Sequence, residues 1–301
     1  MIPGAFDLHR PSSLEEALSL LASGGEGVKV LAGGQSLIPL MKLRLAMPTS
    51  LVDLARVPGL VGITQNGGSG PAGQITIGAM TPYYQLEESD LLRRVCPLLP
   101  QTAVQVADVQ VRHRGTLGGS LAHADPTADI AAATLALDAE VKAVSQRGER
   151  WLRVEDLIIG FYTTDLAQDE ILTEVRVQPL VGWSSSYLKA APRAAGFAIA
   201  GVAVCVRQAS DRTCEEIRIG LTGVTDRPVR SRAVEDALRG QRLTDSAIDA
   251  AAATVVDGLW IADDFRASST YRAHIARVYA ARAIRAARDA ARSHEPGYRL
   301  G

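Results

Sequence analysis

Apolar and polar positions alternate along this 301-residue chain with two different periods, and the switches between them outline its elements. Ser12-Ser13-Leu14-Glu15-Glu16 predicts a helix start, because Ser12 with Glu15, or Ser13 with Glu16, has capping-box spacing. Leu18 and Leu21 carry the helix on, and Gly24-Gly25 ends it. Val28–Leu31 and Leu51–Leu54 read as short strands, so the segment up to about residue 56 makes a small α/β unit. Gln74–Gly78 alternates with a period of two. Pro82 to about Val109 reads as largely helical, and Val111–Pro126, rich in Gly, His and Arg, as an ordered loop. Asp129–Leu137 reads as helix or buried structure, Glu140–Val144 as a strand. In Ile171–Val177 the alternation returns, with Val175 and Val177 set apart from Glu174 and Arg176.

Gln178–Ser186 contains Pro179, Gly182 and three serines and predicts a domain boundary. Strands are expected beyond it at Phe197–Val206 and Ile217–Leu221, then helices at Arg230–Leu238, Asp245–Val256 and Tyr271–Arg292. The many arginines of the last helix read as a solvated face rather than a nucleic-acid patch. No internal repeat is evident.

Composition narrows the function. Hydrophobic residues make up 47% of the chain and charged residues 22%, with a formal net charge of −1, so no broad positive field draws in nucleic acid or an anionic membrane. The apolar stretch Ala194–Val206 is shorter than the ~20 residues needed to cross a bilayer and reads as a buried strand. Only Cys96, Cys205 and Cys214 occur, none in a Cys-x-x-Cys pair, so no iron–sulfur or zinc site is recognisable and no metal ligand is assigned. Few cysteines and no signal peptide point to the cytoplasm.

The chemistry lies in two short loops. The first, Ala32-Gly33-Gly34-Gln35-Ser36-Leu37, follows a strand. The second runs Gly115-Thr116-Leu117-Gly118-Gly119-Ser120 and leads into Ala124-Asp125-Pro126-Thr127-Ala128-Asp129. Glycine pairs let backbone approach a ligand closely, and successive N–H groups make a concave anion site. Two such loops converging on one diphosphate would suit a dinucleotide, with Asp129 accepting hydrogen bonds from sugar or ribityl hydroxyls. By contrast, 68–73 formally matches Gly-x-Gly-x-x-Gly but precedes a strand and contains Pro71, so it reads as a surface loop. A P-loop Gly-Lys-Ser/Thr is absent. His113 and His123 read as hydrogen-bonded loop residues and Asp53 as a strand-end carboxylate.

These residues, together with Phe6–Ala17, Met41-Lys42-Leu43-Arg44, Asp156–Thr164, Glu170–Pro179 and the Tyr271–Arg282 helix, resemble the FAD-binding medium subunit of the xanthine dehydrogenase and carbon monoxide dehydrogenase family of molybdenum hydroxylases. The similarity runs over nearly the whole chain. It implies an α+β fold: a two-subdomain FAD-binding domain of the vanillyl-alcohol-oxidase type over 1–177 (parts about 1–56 and 57–177) and a C-terminal α+β domain over 178–301. By resemblance, Ala32, Gly33, Gly34, Gln35, Ser36 and Leu37 wrap the FAD diphosphate, and Thr116, Gly118, Gly119 and Ser120 contact it from the other side. Asp129 binds FAD hydroxyls, Leu172 and Lys189 lie near the flavin, and Asp125 and His123 are its neighbours. Ser120 stands where many relatives have Asn, and Gly196 where relatives often carry an acidic residue.

The implied role is a relay: electrons pass from [2Fe-2S] clusters on a small partner subunit through FAD to an external acceptor. A large partner carries the molybdenum cofactor, and the whole assembles as a dimer of heterotrimers. No catalytic acid or base is required of this chain. The alternative is a self-sufficient FAD-dependent oxidase or reductase of similar fold, which would need an acid–base pair beside the flavin. No such pair, and no nicotinamide motif, is identifiable.

Overall fold

The computed structural model of the protein describes residues 2–67, 73–193 and 196–292. The formal glycine motif therefore lies, apart from Gly73, outside the described residues, as do Ala194 and Ala195.

The first layer is a parallel sheet. Strands β1 (Asp7–His9), β2 (Val28–Leu31) and β3 (Ser50–Asp53) pair in the order β1-β3-β2, with helix α1 (Leu14–Ser23) joining the first two. Ser13 caps α1 by accepting from the Glu16 N–H at 3.2 Å. The return bond goes one residue further back than the box predicts: the Glu16 carboxylate accepts from the Ser12 N–H at 2.8 Å. Ala17, Leu18 and Leu21 bury one face of α1 with Val28, Val52 and Leu54. Helix α2 (Leu37–Lys42) opens just past the carboxyl end of β2.

The second layer is an antiparallel sheet of β4 (Ile63–Asn66), β5 (Gln74–Gly78), β6 (Glu140–Ser145), β7 (Gly148–Arg153) and β10 (Ile171–Val177), in the order β4-β5-β10-β6-β7. Between β5 and β6 run six helices: α3 (Tyr83–Glu88), α4 (Asp90–Val95), α5 (Leu98–Ala103), α6 (Val109–Arg112), α7 (Leu117–His123) and α8 (Asp129–Ala136). After β7 come α9 (Val154–Leu157) and the ribbon of β8 (Ile158–Gly160) with β9 (Thr163–Thr164). The ordered loop expected over Val111–Pro126 thus contains a helix. Thr116 nucleates it, its hydroxyl accepting the Gly119 N–H. Tertiary carbonyls take the next amides, Leu117 N–H to Thr81 O and Gly118 N–H to Ala79 O, which offsets the poor helix propensity of Gly118-Gly119.

The third layer is the antiparallel sheet β11 (Trp183–Ala190), β12 (Ala200–Gln208), β13 (Cys214–Thr222) and β14 (Val229–Arg230), followed by α10 (Arg232–Leu238), α11 (Asp245–Ala253) and α12 (Ser269–Arg292). The stretch read as a boundary up to Ser186 is half strand. Ser184, Ser185 and Ser186 are buried in β11, because their small side chains bond inward: Ser185 Oγ to Gln101 Oε1 and Ser186 Oγ to the Ala283 carbonyl. The strand expected from Phe197 starts at Ala200.

Strand β12 serves two cores at once, as the period-two geometry of a strand allows. Ala203 and Cys205 face the helices of the second layer, while Val202, Val204 and Val206 face α10, α11 and α12. Helix α8 is caught between the second and third layers with all eight residues buried. Burying Ile130 and Leu135 alone is worth about 1.5–3 kcal/mol each. A β-carbon on Gly220 of β13 would meet the Ala132 carbonyl of α8 at 2.0 Å, so helix and strand lie flush. Among the described arginines of α12, Arg272, Arg285 and Arg288 are anchored by carboxylates. Arg285 and Arg288 pair with Asp245, and Arg272 is 1% exposed.

Candidate functional site

The loop after β2 and the start of α7 meet backbone to backbone. At Gly33 a β-carbon would sit 1.9 Å from the Arg114 carbonyl oxygen and 2.9 Å from Gly115 Cα; at Gly119 it would meet Ala32 Cβ at 3.1 Å. Gly34 has φ +74°, a left-handed conformation that favours glycine. Gly118 rests on Ala79, where no side chain fits. The residues singled out as two separate loops are one junction.

This junction has unused donors. Among the described residues, no protein acceptor takes the N–H groups of Gly33, Gly34, Gln35 or Ser36, and Gln35 and Ser36 are exposed. Four consecutive amides without partners beside a close-packed glycine turn form a concave, electropositive edge. A diphosphate supplies the acceptors they lack, so the residues present fit an FAD pyrophosphate. The amides of Leu117 and Gly118 are already committed to Thr81 and Ala79. On the α7 side the fit therefore rests on close backbone approach and the hydroxyls of Thr116 and Ser120.

Tyr83, not singled out from the sequence, ties the remaining residues to the junction. Its ring abuts Gly115, its hydroxyl bonds Ser120, and both Asp125 and Asp129 act on it electrostatically. Burial pushes its phenol well above the usual range. Asp125 is held in a turn by the Thr127 N–H at 2.8 Å and hydroxyl at 2.6 Å, and accepts from the Tyr162 hydroxyl at 3.2 Å. Burial, with Asp125 nearby, raises the Tyr162 phenol to about 12. His123 ends α7 against the Tyr162 ring at 4.9 Å, and burial lowers its pKa.

Asp129 opens α8 and is buried. One carboxylate oxygen accepts from the Tyr187 hydroxyl, the other from Lys189 Nζ at 3.0 Å. Burial pushes the Asp129 carboxyl up, against the opposing pull of Lys189 and Tyr187. All three Lys189 protons are used, the other two by the carbonyls of Gln105 at 2.6 Å and Gly196 at 3.2 Å. Asp129 and Lys189 thus join helix α8 to strand β11. Tyr187 was missed from sequence although it lies two residues from Lys189, on the same face of a strand. Leu172 is buried in β10, next to Thr173, whose carbonyl takes the amide of Ala79 beneath Gly118. His113 stacks on Tyr84 at 4.6 Å and bonds the Val109 carbonyl. Asp53 ends β3 and caps the following turn through the Ala55 N–H.

Residues 4–179 match the family model described as FAD binding domain in molybdopterin dehydrogenase, and residues 185–287 that of the CO dehydrogenase flavoprotein C-terminal domain. The chain belongs to this family of flavoproteins. The flavoprotein is 37% identical over 290 residues to the carbon monoxide dehydrogenase medium chain of Hydrogenophaga pseudoflava, covering 95% of this chain and 98% of that one. It is 36% identical, over 97% of both chains, to the 6-hydroxypseudooxynicotine dehydrogenase complex subunit alpha of Paenarthrobacter nicotinovorans. A solved structure of the Hydrogenophaga carbon monoxide dehydrogenase, lacking the Mo-pyranopterin moiety of its cofactor, matches with a TM-score of 0.91 at 38% identity, covering 95% of this chain and 98% of that one. The flavoprotein is therefore an FAD-binding medium subunit of the molybdenum hydroxylase family and an oxidoreductase component, with the α+β class that the sequence implied. Among the described residues no helix is long and apolar enough to cross a membrane, and no cluster of His, Cys, Asp and Glu could hold a metal.

Proposed function

We propose that this chain holds FAD with the 32–37 loop on one side of the diphosphate and Thr116–Ser120 on the other, and that it relays electrons. The donor is a small subunit with [2Fe-2S] clusters, a large subunit carries the molybdenum cofactor, and an external acceptor takes the electrons away. The observation that carries the reading is the run of unpartnered amides from Gly33 to Ser36. The buried cysteines support the second half: Cys96, Cys205 and Cys214 are free and buried, so clusters have to come from a partner. They also suit a cytoplasmic setting.

FAD, when bound, supplies the electron chemistry, taking electrons singly and releasing them in pairs. The chain's own residues bind and orient. The amides of the first loop donate to phosphate oxygens, and the Thr116 and Ser120 hydroxyls approach from the α7 side. Asp129 offers its carboxylate to sugar or ribityl hydroxyls, held in place by Tyr187 and Lys189. Leu172 and Lys189 lie toward the flavin, and Asp125 shapes the turn before Asp129. We divide the chain at 177, with 1–56 and 57–177 as the two parts of the FAD-binding domain. Most of each part's apolar residues fall in one core, while Leu180, Tyr187, Ala203 and Cys205 cross the second boundary and Met80 and Ile171 the first. The substrate is left to the large subunit: relatives named for carbon monoxide and for 6-hydroxypseudooxynicotine are equally similar to this chain.

The test is an absorbance spectrum and mass analysis of the native complex. Flavin and iron–sulfur bands with two further subunits, in a dimer of heterotrimers, are expected. A lone flavin-bearing chain that turns over a substrate would replace this reading with the oxidase, and a chain that takes up no FAD would end it.

A further inference from the structure

Arg272 is buried, and its guanidinium gathers three segments that lie far apart in sequence. Nη1 donates to the Ile199 carbonyl at 3.1 Å and the Gly223 carbonyl at 2.6 Å, and Nη2 to Asp264 Oδ1 at 2.6 Å. Its Nε finds no acceptor among the described residues. Taking a guanidinium out of water is costly, and a hydrocarbon of similar volume often serves packing as well. What a hydrocarbon lacks is the planar fork, which fixes several acceptors at once. The acceptors here are packed to contact. A β-carbon on Gly223, whose φ is +76°, would meet the Ala198 carbonyl oxygen at 2.5 Å and that of Ile199 at 3.0 Å.

From this fork two short hydrogen-bonded routes lead to one buried pair. Ile199, held by its carbonyl, donates its N–H to the Ala190 carbonyl at 2.8 Å, next to Lys189. Gly223, held in the same way, donates its N–H to the Pro126 carbonyl at 2.7 Å, and the Thr222 hydroxyl joins it there at 2.8 Å. Pro126 lies inside the Asp125–Thr127 turn that leads into Asp129. One route thus ends at Lys189 and the other at Asp129, which bond each other at 3.0 Å. Among the described residues, the acceptors of Arg272 are Ile199, Gly223 and Asp264, so it reaches the pair only through the backbone.

We propose that Arg272 is a positioning residue for the flavin site: by fixing Ile199 and Gly223 it sets Lys189 against Asp129, and so aims the carboxylate offered to FAD hydroxyls. Only the last of these steps rests on the flavin reading. Hydrogen exchange on the FAD-free, full-length chain, read by mass spectrometry, tests the earlier ones. Arg272→Lys keeps the charge and loses the fork. It should speed exchange in peptides covering Ile199, Gly223 and Thr127 by about fivefold, while α1 and β7 keep their rates. Unchanged exchange at Thr127 overturns the proposal. FAD titration tests the last step. Arg272→Lys should weaken FAD about tenfold in the parent chain but less than about twofold once Asp129→Asn is present, because residues that act through one another are not additive. Equal losses in the two backgrounds would mean a general structural role and overturn the proposal. Should the lysine variant fail to fold, Asp264→Asn, which weakens the same fork and leaves the cation in place, carries both measurements with smaller effects in the same pattern. Exchange that responds as expected in a chain that takes up no FAD upholds the link from Arg272 to the Asp129–Lys189 pair and counts against the flavin reading alone.

Discussion

Gly33 and Arg114 stand so close that a β-carbon on the glycine would lie 1.9 Å from the arginine's carbonyl oxygen. The two ligand-facing segments are therefore fitted to each other before any cofactor arrives. Gly33→Ala has to push them apart, at a cost of about 1–3 kcal/mol as for other overpacked sites. The expected result is a lower urea midpoint and loss of flavin on gel filtration. Full flavin retention with an unchanged midpoint would mean that the segments do not meet in this way.

Thr116 caps α7 through the Gly119 N–H. Thr116→Ala should cost about 1 kcal/mol, and Thr116→Ser should recover most of it. Urea unfolding of the three proteins decides the point; equal midpoints for Ala and Ser would remove the cap from the account.

Much of the frame is legible in the sequence where one physical signal dominates. Gln74–Gly78 and Ile171–Val177 alternate cleanly and are strands over those same residues. Helix α7 was not legible, because Gly118 and Gly119 lower local helix propensity and the compensation comes from Thr81 and Ala79, distant in sequence. Nor was β11, whose serines resemble a linker until Gln101 and α12 supply partners for them. For the site the same division holds. The glycine loops show from composition and spacing, whereas Tyr83 and Tyr187 matter only through contacts that folding creates.

Lys189 is the buried counter-charge of Asp129. Lys189→Met leaves that carboxylate unpaired, and a loss of about 3–5 kcal/mol is expected near neutral pH. The pH dependence has a definite sign. Burial already raises the folded Asp129 pKa, and removing the cation raises it further, so the folded state favours the protonated acid. Stability from that proton is complete below the unfolded value of ~3.9 and is lost as pH rises through the folded one. Urea unfolding of the variant at pH 8 and pH 5 should show it relatively more stable at pH 5; the reverse order would contradict the burial of Asp129.

His123 has the opposite sign. Its pKa is depressed by burial, so below ~6.5 the unfolded chain takes up a proton that the folded imidazole resists. Its stabilising contribution is present above that value and is lost as pH falls through the folded one. His123→Gln should therefore lose less stability than the parent between pH 8 and pH 5, measured by the same urea curves. Identical losses would show that His123 titrates as it would in the open chain.

Helix α8 has no face left for water: one side belongs to the second layer and the other to β12 and β13. Neither half of the chain can let go of the other without leaving an alanine-rich apolar rod, Ile130 to Ala136, in solvent. Melting should accordingly appear in the calorimeter as one heat-absorption peak rather than two. A fragment stopped at residue 177 would be a sticky, chaperone-dependent polypeptide, and the family's two successive modules in this chain make a single thermodynamic object.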